Sequence, residues 1–229
     1  ENRDHNKSLP GGGIFMTLRK AVIFANGEMR DAMVIKKLIR ANDLLIAADG
    51  GLGHCNELRL VPKVLIGDLD SVPDEEIEKC KNAGVQIMRY PVEKDETDLQ
   101  LALDILIKKN IRTILIVAAL GGRLDHTLGN LCLLQWEDLV GREVILDDGI
   151  DQAFVIRDQK LIKGARGDTV SLLPLWGEVS AIRTEGLKYQ LVNETLHYDQ
   201  TRGISNEMIT SSAKVIVGAG LLLCIHTRK

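Results

Sequence analysis

The hydrophobic period of this chain changes once, at Asp147-Asp148-Gly149, and that change limits the folds open to it. Before it, short apolar runs at 21–25, 44–48, 63–67, 85–88, 113–118 and 144–146 alternate with segments whose apolar residues recur every three to four positions. Those segments cover 29–40, 52–58, 73–83, 99–106 and 127–139, and Leu99, Ala102, Leu103 and Leu106 show the helical spacing most clearly. Strands interleaved with helices of this length predict a mostly parallel sheet covered on both faces. After the change the period is two, over 153–156, 169–173, 179–182, 188–192, 215–217 and 221–225, with glycine turns between. That pattern predicts an all-β unit of sandwich or barrel type. A chain of 229 residues, 45% of them hydrophobic, can bury two such cores. The expected organisation is an α/β domain over 16–148 followed by a β-sandwich over 149–229. Residues 1–15 carry Gly11-Gly12-Gly13 and no apolar stretch, so they read as a tail or an expression remnant, with Met16 the natural start.

In parallel sheets ligands bind beyond the carboxyl ends of the strands. Here those ends carry Asn26-Gly27, Asp49-Gly50-Gly51, Asp68-Leu69-Asp70-Ser71, the stretch 94–98, and the stretch 121–125. Gly67 permits the backbone to turn at the end of this strand, so that Asp68 and Asp70 can converge on one point. Two converging carboxylates with no His or Cys beside them suit Mg2+, which fills its remaining sites with water and phosphate oxygens. The plainer reading is an acidic helix start, for which Ser71 ahead of Pro73-Asp74-Glu75 is a good signal. Gly50, Gly51, Gly121 and Gly122 allow close approach of backbone to a ligand, and Lys94 and Arg123 supply charge for a polyphosphate. Each loop alone is adequately explained as a turn. Together they favour a site for Mg2+ and a polyphosphate. In the β half, the polar loop 201–207 is longer than a tight hairpin needs.

Other classes fit less well. A formal charge of -3 argues against a nucleic-acid groove. Cys55, Cys80, Cys132 and Cys224 form no metal or disulfide spacing and read as reduced thiols of a cytoplasmic protein. The longest apolar run, 215–225, is too short and too Gly-interrupted to span a membrane. No Walker loop is present, and Gly51-Leu52-Gly53 meets Asn56 where a dinucleotide fingerprint needs a third Gly. Asp68-Leu69-Asp70-Ser71-Val72 has the pattern of haloacid-dehalogenase-type phosphatases, with Asp147-Asp148 as a distal acidic pair. That nucleophile belongs on the first strand of its fold, however, and the reading leaves Asp49-Gly50-Gly51 and the stretch 121–130 without a role.

The set formed by Ala48-Asp49-Gly50-Gly51, Gly67-Asp68-Leu69-Asp70-Ser71, Lys94-Asp95-Glu96-Thr97-Asp98, Gly121-Gly122-Arg123-Leu124-Asp125-His126 with Asn130, and Arg202-Gly203-Ile204-Ser205-Asn206 resembles the thiamine pyrophosphokinase family. The motifs run in family order and cover nearly the whole chain. The resemblance implies a Rossmann-like catalytic domain followed by a β-sandwich. It implies ATP and thiamine as substrates and thiamine diphosphate and AMP as products. It also implies a homodimer with shared active sites, thiamine lying between the catalytic domain of one subunit and the sandwich of the other. On that basis Asp68, Asp70 and Asp98 are the catalytic and Mg2+-binding residues, with Asp98 the candidate base. Asp49, Gly50, Lys94, Asp95, Thr97, Gly122 and Arg123 would hold ATP, while Asp125, Asn130, Ser205 and Asn206 would line the thiamine pocket. The chain departs from members that stack a Trp of the last strand on thiamine, since Leu221-Leu222-Leu223-Cys224 stands there, and Trp176 is the candidate replacement. A non-catalytic sensor on this scaffold would be expected to lack some of the carboxylates, and none is missing.

Overall fold

The computed structural model describes residues 20–229, so the expectations for residues 1–15 and for Met16 lie outside the described residues. Six strands, β1 (Lys20–Phe24), β2 (Leu44–Ala48), β3 (Val64–Gly67), β4 (Gln86–Arg89), β5 (Thr113–Val117) and β6 (Glu143–Asp147), form a parallel array in the order β6-β5-β1-β2-β3-β4. Between them run α1 (Ala32–Leu38), α2 (Leu52–Glu57), α3 (Asp74–Asn82), α4 (Asp98–Lys108) and α5 (Leu124–Leu133). The array is covered on both faces. Ile23, Ile46 and Ile66 pack with Leu99, Leu103 and Leu106 of α4 and Leu131 of α5. Phe24, Leu45 and Leu65 pack with Ile35 of α1, Leu52 of α2 and Ile77 of α3. Each such fully buried side chain stabilises the fold by about 1.5–3 kcal/mol relative to exposure.

The sheet does not stop where the hydrophobic period changes. β7 (Asp151–Ile156) pairs antiparallel with β6, placing Leu146 opposite Ala153. β14 (Leu222–Thr227) then pairs with β7, β9 (Thr169–Leu173) with β14, and the two-residue β12 (Asn206–Glu207) with β9. The result is one ten-stranded sheet. A second sheet, in the order β11 (Val192–Leu196), β10 (Val179–Glu185), β13 (Ser212–Ile216), β8 (Gln159–Lys163), closes a sandwich against its antiparallel end. Phe154, Val170, Leu172, Ile182, Val215 and Leu222 fill the space between them. Leu223 of β14 points the other way, into the core beneath α4 and α5, so this strand is buried on both faces.

Several boundaries differ from the periodic pattern. The helix expected over 29–40 is confined to Ala32–Leu38, because Asp31 caps it, accepting from the N–H groups of Met33 and Val34 at 3.0 Å each. The helix expected over 127–139 begins earlier, at Leu124, and ends at Leu133, with a one-turn 3-10 helix at Glu137–Leu139. The strand expected over 188–192 is displaced to Val192–Leu196, and β8 was not anticipated.

Candidate active site

The acidic centre is built by three backbone turns at the carboxyl ends of β2 and β3. Gly67 has φ 145, which a side chain would oppose, and Leu69, buried between the two aspartates, has φ 63. Asp49 has φ 47. Non-glycine residues held in this region cost of order 1 kcal/mol or more each, and such strain concentrates at functional sites. The turns bring carboxylate oxygens of Asp49, Asp68 and Asp70 within 4.8 Å of one another. Asp68 Oδ1 accepts from the Asp70 N–H at 3.1 Å, and Asp70 Oδ1 from the Ser71 hydroxyl at 3.2 Å. The close trio thus contains Asp49, while Asp98, at the first turn of α4, stands beside it against Gly67.

Lys94 crosses this cluster. Its Nζ lies 3.2 Å from Asp98 Oδ1 and 3.8 Å from Asp68 Oδ2, and it donates to the Pro91 carbonyl at 3.1 Å. The approach to Asp98 is off the direction a hydrogen bond needs, so Asp98 Oδ1 is buried with an ion-pair neighbour and no donor; Asp49 Oδ1 is likewise buried without a partner. Burial raises the Asp98 pKa above the ordinary carboxylate range, Lys94 opposes the rise, and the charges of Asp68 and Asp49 add to it. One lysine among four carboxylates leaves the cluster net negative. Crowded oxygens, two without donors and none accompanied by His or Cys, fit a hard divalent cation.

The trio opens through Asp49 into a crevice of about 440 Å³. Lys94, Thr97 and Asp98 form part of its wall, and Gly121, Gly122, Arg123, His126 and Asn130 line it from the β5–α5 turn. Thr97 caps α4, its hydroxyl accepting from the Gln100 N–H at 3.2 Å, and Asn130 donates to the Ala119 carbonyl at 2.8 Å. Arg123 grips the exposed Asp125 with Nε at 3.1 Å and a terminal nitrogen at 2.5 Å, which holds the Asp125 carboxyl down at about 2. Gly50, Asp95 and Asp125 do not line the crevice. A side chain at Gly51 would meet the Phe24 carbonyl oxygen at 2.0 Å and one at Gly50 the Asn26 amide at 2.4 Å, so these glycines admit their own chain, rather than a ligand. Asn26, Glu28 and His126 also line the crevice, and the sequence reading gave them no role. The strand-end position of Asn26-Gly27 was the available signal, but Glu28 beside a helical pattern reads as a helix start.

Ser205 and Asn206 lie elsewhere. Asn206 opens β12, at one end of the ten-stranded sheet, with four strands between it and β5. At about 4.8 Å per strand that is roughly 24 Å, out of reach of the crevice in the same chain. The Asn206 side chain is buried and engaged: its oxygen accepts from the N–H groups of Tyr189 at 3.0 Å and Glu207 at 2.9 Å, and its nitrogen donates to the Tyr189 carbonyl at 2.6 Å. Ser205 is exposed, its backbone N–H donating to the Ser171 hydroxyl at 3.0 Å. Leu222, Leu223 and Cys224 are core residues, and Trp176 is half-buried against the α/β core.

Asp147 and Asp148 offer no second acidic site. Asp147 is bound by Arg228 at 2.9 and 2.7 Å, by the Gly149 N–H and by Gln152, and Asp148 is bound by Arg30 and by the N–H groups of Ile150 and Asp151. With Asp68 following the third strand, the phosphatase pattern lacks both its partner pair and its position.

Comparison with known proteins gives one consistent result. The family described as "Thiamin pyrophosphokinase, catalytic domain" matches residues 35–146, and "Thiamin pyrophosphokinase, vitamin B1 binding domain" matches residues 157–222. Thiamine pyrophosphokinase of Bacillus subtilis is 31% identical over 186 residues, which cover 80% of this chain and 87% of that protein. Thiamine pyrophosphokinase 1 of Oryza sativa subsp. japonica is 25% identical over 75% of this chain and 68% of its own length. Among solved structures, the Bacillus subtilis enzyme superposes with a TM-score of 0.83 at 26% identity, covering 92% of this chain and 99% of that one. The thiamin pyrophosphokinase of Candida albicans, at 18% identity and a TM-score of 0.79 over 94% of this chain and 91% of its own, shares the fold.

Proposed function

The chain belongs to the thiamine pyrophosphokinase family, and from that premise we propose that its crevice binds the polyphosphate of ATP with Mg2+ held by Asp49, Asp68 and Asp70. It is an enzyme of the ATP:thiamine diphosphotransferase class. The observation that carries the reading of the site is the acidic trio, with buried, donorless oxygens on Asp49 and Asp98, at the strand ends of a crevice that also presents Lys94 and Arg123. When bound, Mg2+ would neutralise phosphate charge as it shifts toward the leaving group. Lys94 and Arg123 bind phosphate oxygens, and Thr97, Gly122 and the N-terminus of α5 orient them. The primary hydroxyl of thiamine attacks the β-phosphorus; the new O–P bond forms as the bond from that phosphorus to the α-phosphate oxygen breaks, and AMP leaves. Asp98 accepts the hydroxyl proton, a role its raised pKa favours.

Thiamine sits between one subunit, at Asn130 in the crevice and Asp125 on the α5 turn just outside its lining, and Ser205 with the Asn206 strand of the other. Two observations support a homodimer: Ser205 is too far from its own crevice, and Leu124 and Leu128 on α5 beside the crevice are 71% and 51% exposed. No helix of the described residues is long and apolar enough to cross a membrane. The cytoplasm is the compartment we assign, since the four cysteines of the described residues are free.

Chromatography of a reaction containing ATP, thiamine and Mg2+ tests this function. Thiamine diphosphate and AMP in equal amounts are expected. ADP with thiamine monophosphate would overturn the diphosphotransfer, and phosphate release without thiamine would restore the phosphatase reading.

A further inference from the structure

The turn between β5 and α5 carries the backbone and Arg123 that face the crevice, yet it contains Gly121 at φ 77 followed by Gly122 at φ 66. Two successive glycines in the left-handed region have the largest conformational entropy to lose, so such a turn needs holding from outside. Glu28 holds it three times. Its backbone N–H donates to the Leu120 carbonyl at 3.2 Å, and its Oε1 accepts from the Gly122 N–H at 3.1 Å. Its carboxylate also lies so close over Gly121 that a Cβ there would meet Oε2 at 2.9 Å. The segment that presents Glu28 is itself fixed. The Gly27 N–H donates to the Ala118 carbonyl at 2.7 Å, His54 Nε2 lies 3.0 Å from the Gly27 carbonyl, and the Arg30 N–H donates to the Asp148 carbonyl at 2.7 Å.

A carboxylate at the mouth of a polyphosphate site is repulsive toward its ligand unless it serves another purpose. We propose that Glu28 is a positioning residue: its side chain fixes the Gly121-Gly122 turn, and thereby the start of α5 and Arg123, in the arrangement that receives phosphate. This rests on the ATP reading of the crevice. What is required of Glu28 is its acceptor oxygen, and its charge opposes the ligand. Glutamine retains the acceptor and removes the repulsion, whereas alanine removes both.

The test compares Glu28→Ala and Glu28→Gln in the full chain. Without substrates, amide exchange across residues 120–123 should accelerate about tenfold in Glu28→Ala, the scale of one lost charge-assisted hydrogen bond, and stay near wild type in Glu28→Gln. This arm does not depend on the identity of the ligand. In turnover, Glu28→Ala should raise KM for ATP about tenfold with KM for thiamine within about twofold, and Glu28→Gln should restore KM for ATP to the wild-type value or below it. Equal loss in both variants would overturn the proposal in favour of direct contact between the Glu28 charge and substrate. Unchanged exchange and KM in Glu28→Ala would show that the turn holds itself. Accelerated exchange without any change in KM for ATP would mean that the turn does not receive phosphate, which counts against the site reading rather than against the hydrogen bond. If Glu28→Ala fails to fold, a Glu28→Gln variant with wild-type exchange and a KM for ATP no higher than wild type still supports the proposal, and a higher KM overturns it.

Discussion

At the scale of single residues, the acidic centre makes the sharpest demand. Asp68→Asn and Asp70→Asn each keep the side-chain shape and delete an anionic oxygen from a trio packed within 4.8 Å. Each should lower kcat/KM at least about a hundredfold, equivalent to about 2.7 kcal/mol of transition-state stabilisation, while the thermal midpoint stays within a few degrees. Near-normal turnover at saturating Mg2+ would reduce that carboxylate to a helix-start residue. Asp68 and Asp70 stood out in the sequence through the company they keep at the other strand ends, since the pair alone reads equally well as an acidic helix start. Asp49 as their neighbour was not, since its inclusion depends on its own left-handed φ of 47, which no spacing rule anticipates for an aspartate. Glu28 was illegible for a related reason: its partners are backbone groups almost a hundred residues away, and backbone groups carry no sequence signal.

At the scale of elements, β14 illustrates what polar burial does to a sheet. Asp168, in the turn before β9, and His226 on β14 are both buried, with Oδ2 and Nε2 2.8 Å apart. His226 Nδ1 continues to Gln152 Oε1 on β7 at 3.1 Å, and Asp168 also accepts from the N–H groups of Ala165 and Lys229. Burial alone would raise the Asp168 pKa, but these donors outweigh it and the net shift is downward. A carboxylate whose folded pKa lies below its unfolded one adds stability above the unfolded value, and that contribution is lost as pH falls through the folded value. Asp168→Asn should therefore cost about 3 kcal/mol at neutral pH, and the gap to wild type should narrow below about pH 4. Chemical denaturation at pH 7 and pH 3 checks this; a gap independent of pH would assign the cost to shape instead of charge. Elements with a strong apolar pattern, such as the helical spacing of α4 and the unbroken run of β2, could be read directly. β8 and β11 could not, because QKLIK and VNETL have one mainly solvated face and little apolar repeat, and their place is set by partners across the sheet.

At the scale of the whole molecule, the proposed sharing of sites between two subunits is open to direct trial. Ser205→Arg would set a cation where the cationic thiazolium of thiamine is proposed to lie, and Asp68→Asn removes the acidic centre. Each variant alone should be inactive, but if sites are shared, random exchange should recover about a quarter of wild-type activity, because half the molecules are heterodimers with one intact site of two. No recovery despite heterodimer formation would put thiamine within one chain. Two hydrophobic regimes were visible in the sequence, whereas their fusion into one sheet was not, since strand pairing across β6 and β7 leaves no mark on periodicity. That fusion also governs the order in which the molecule can be completed during synthesis. β14 lies between β7 and β9, with Cys224 opposite Phe154 on one side and Leu172 on the other. The ribosome delivers it after every other strand of the sheet. Until then β7 and β9 are two unsatisfied edges with no ladder between them, exposed to each other's mispairing and to neighbouring chains. The parallel array can assemble early around local βαβ contacts, but the sandwich is committed only when β14 emerges, and a nascent chain stalled short of Leu222 holds a finished crevice beside an open sheet.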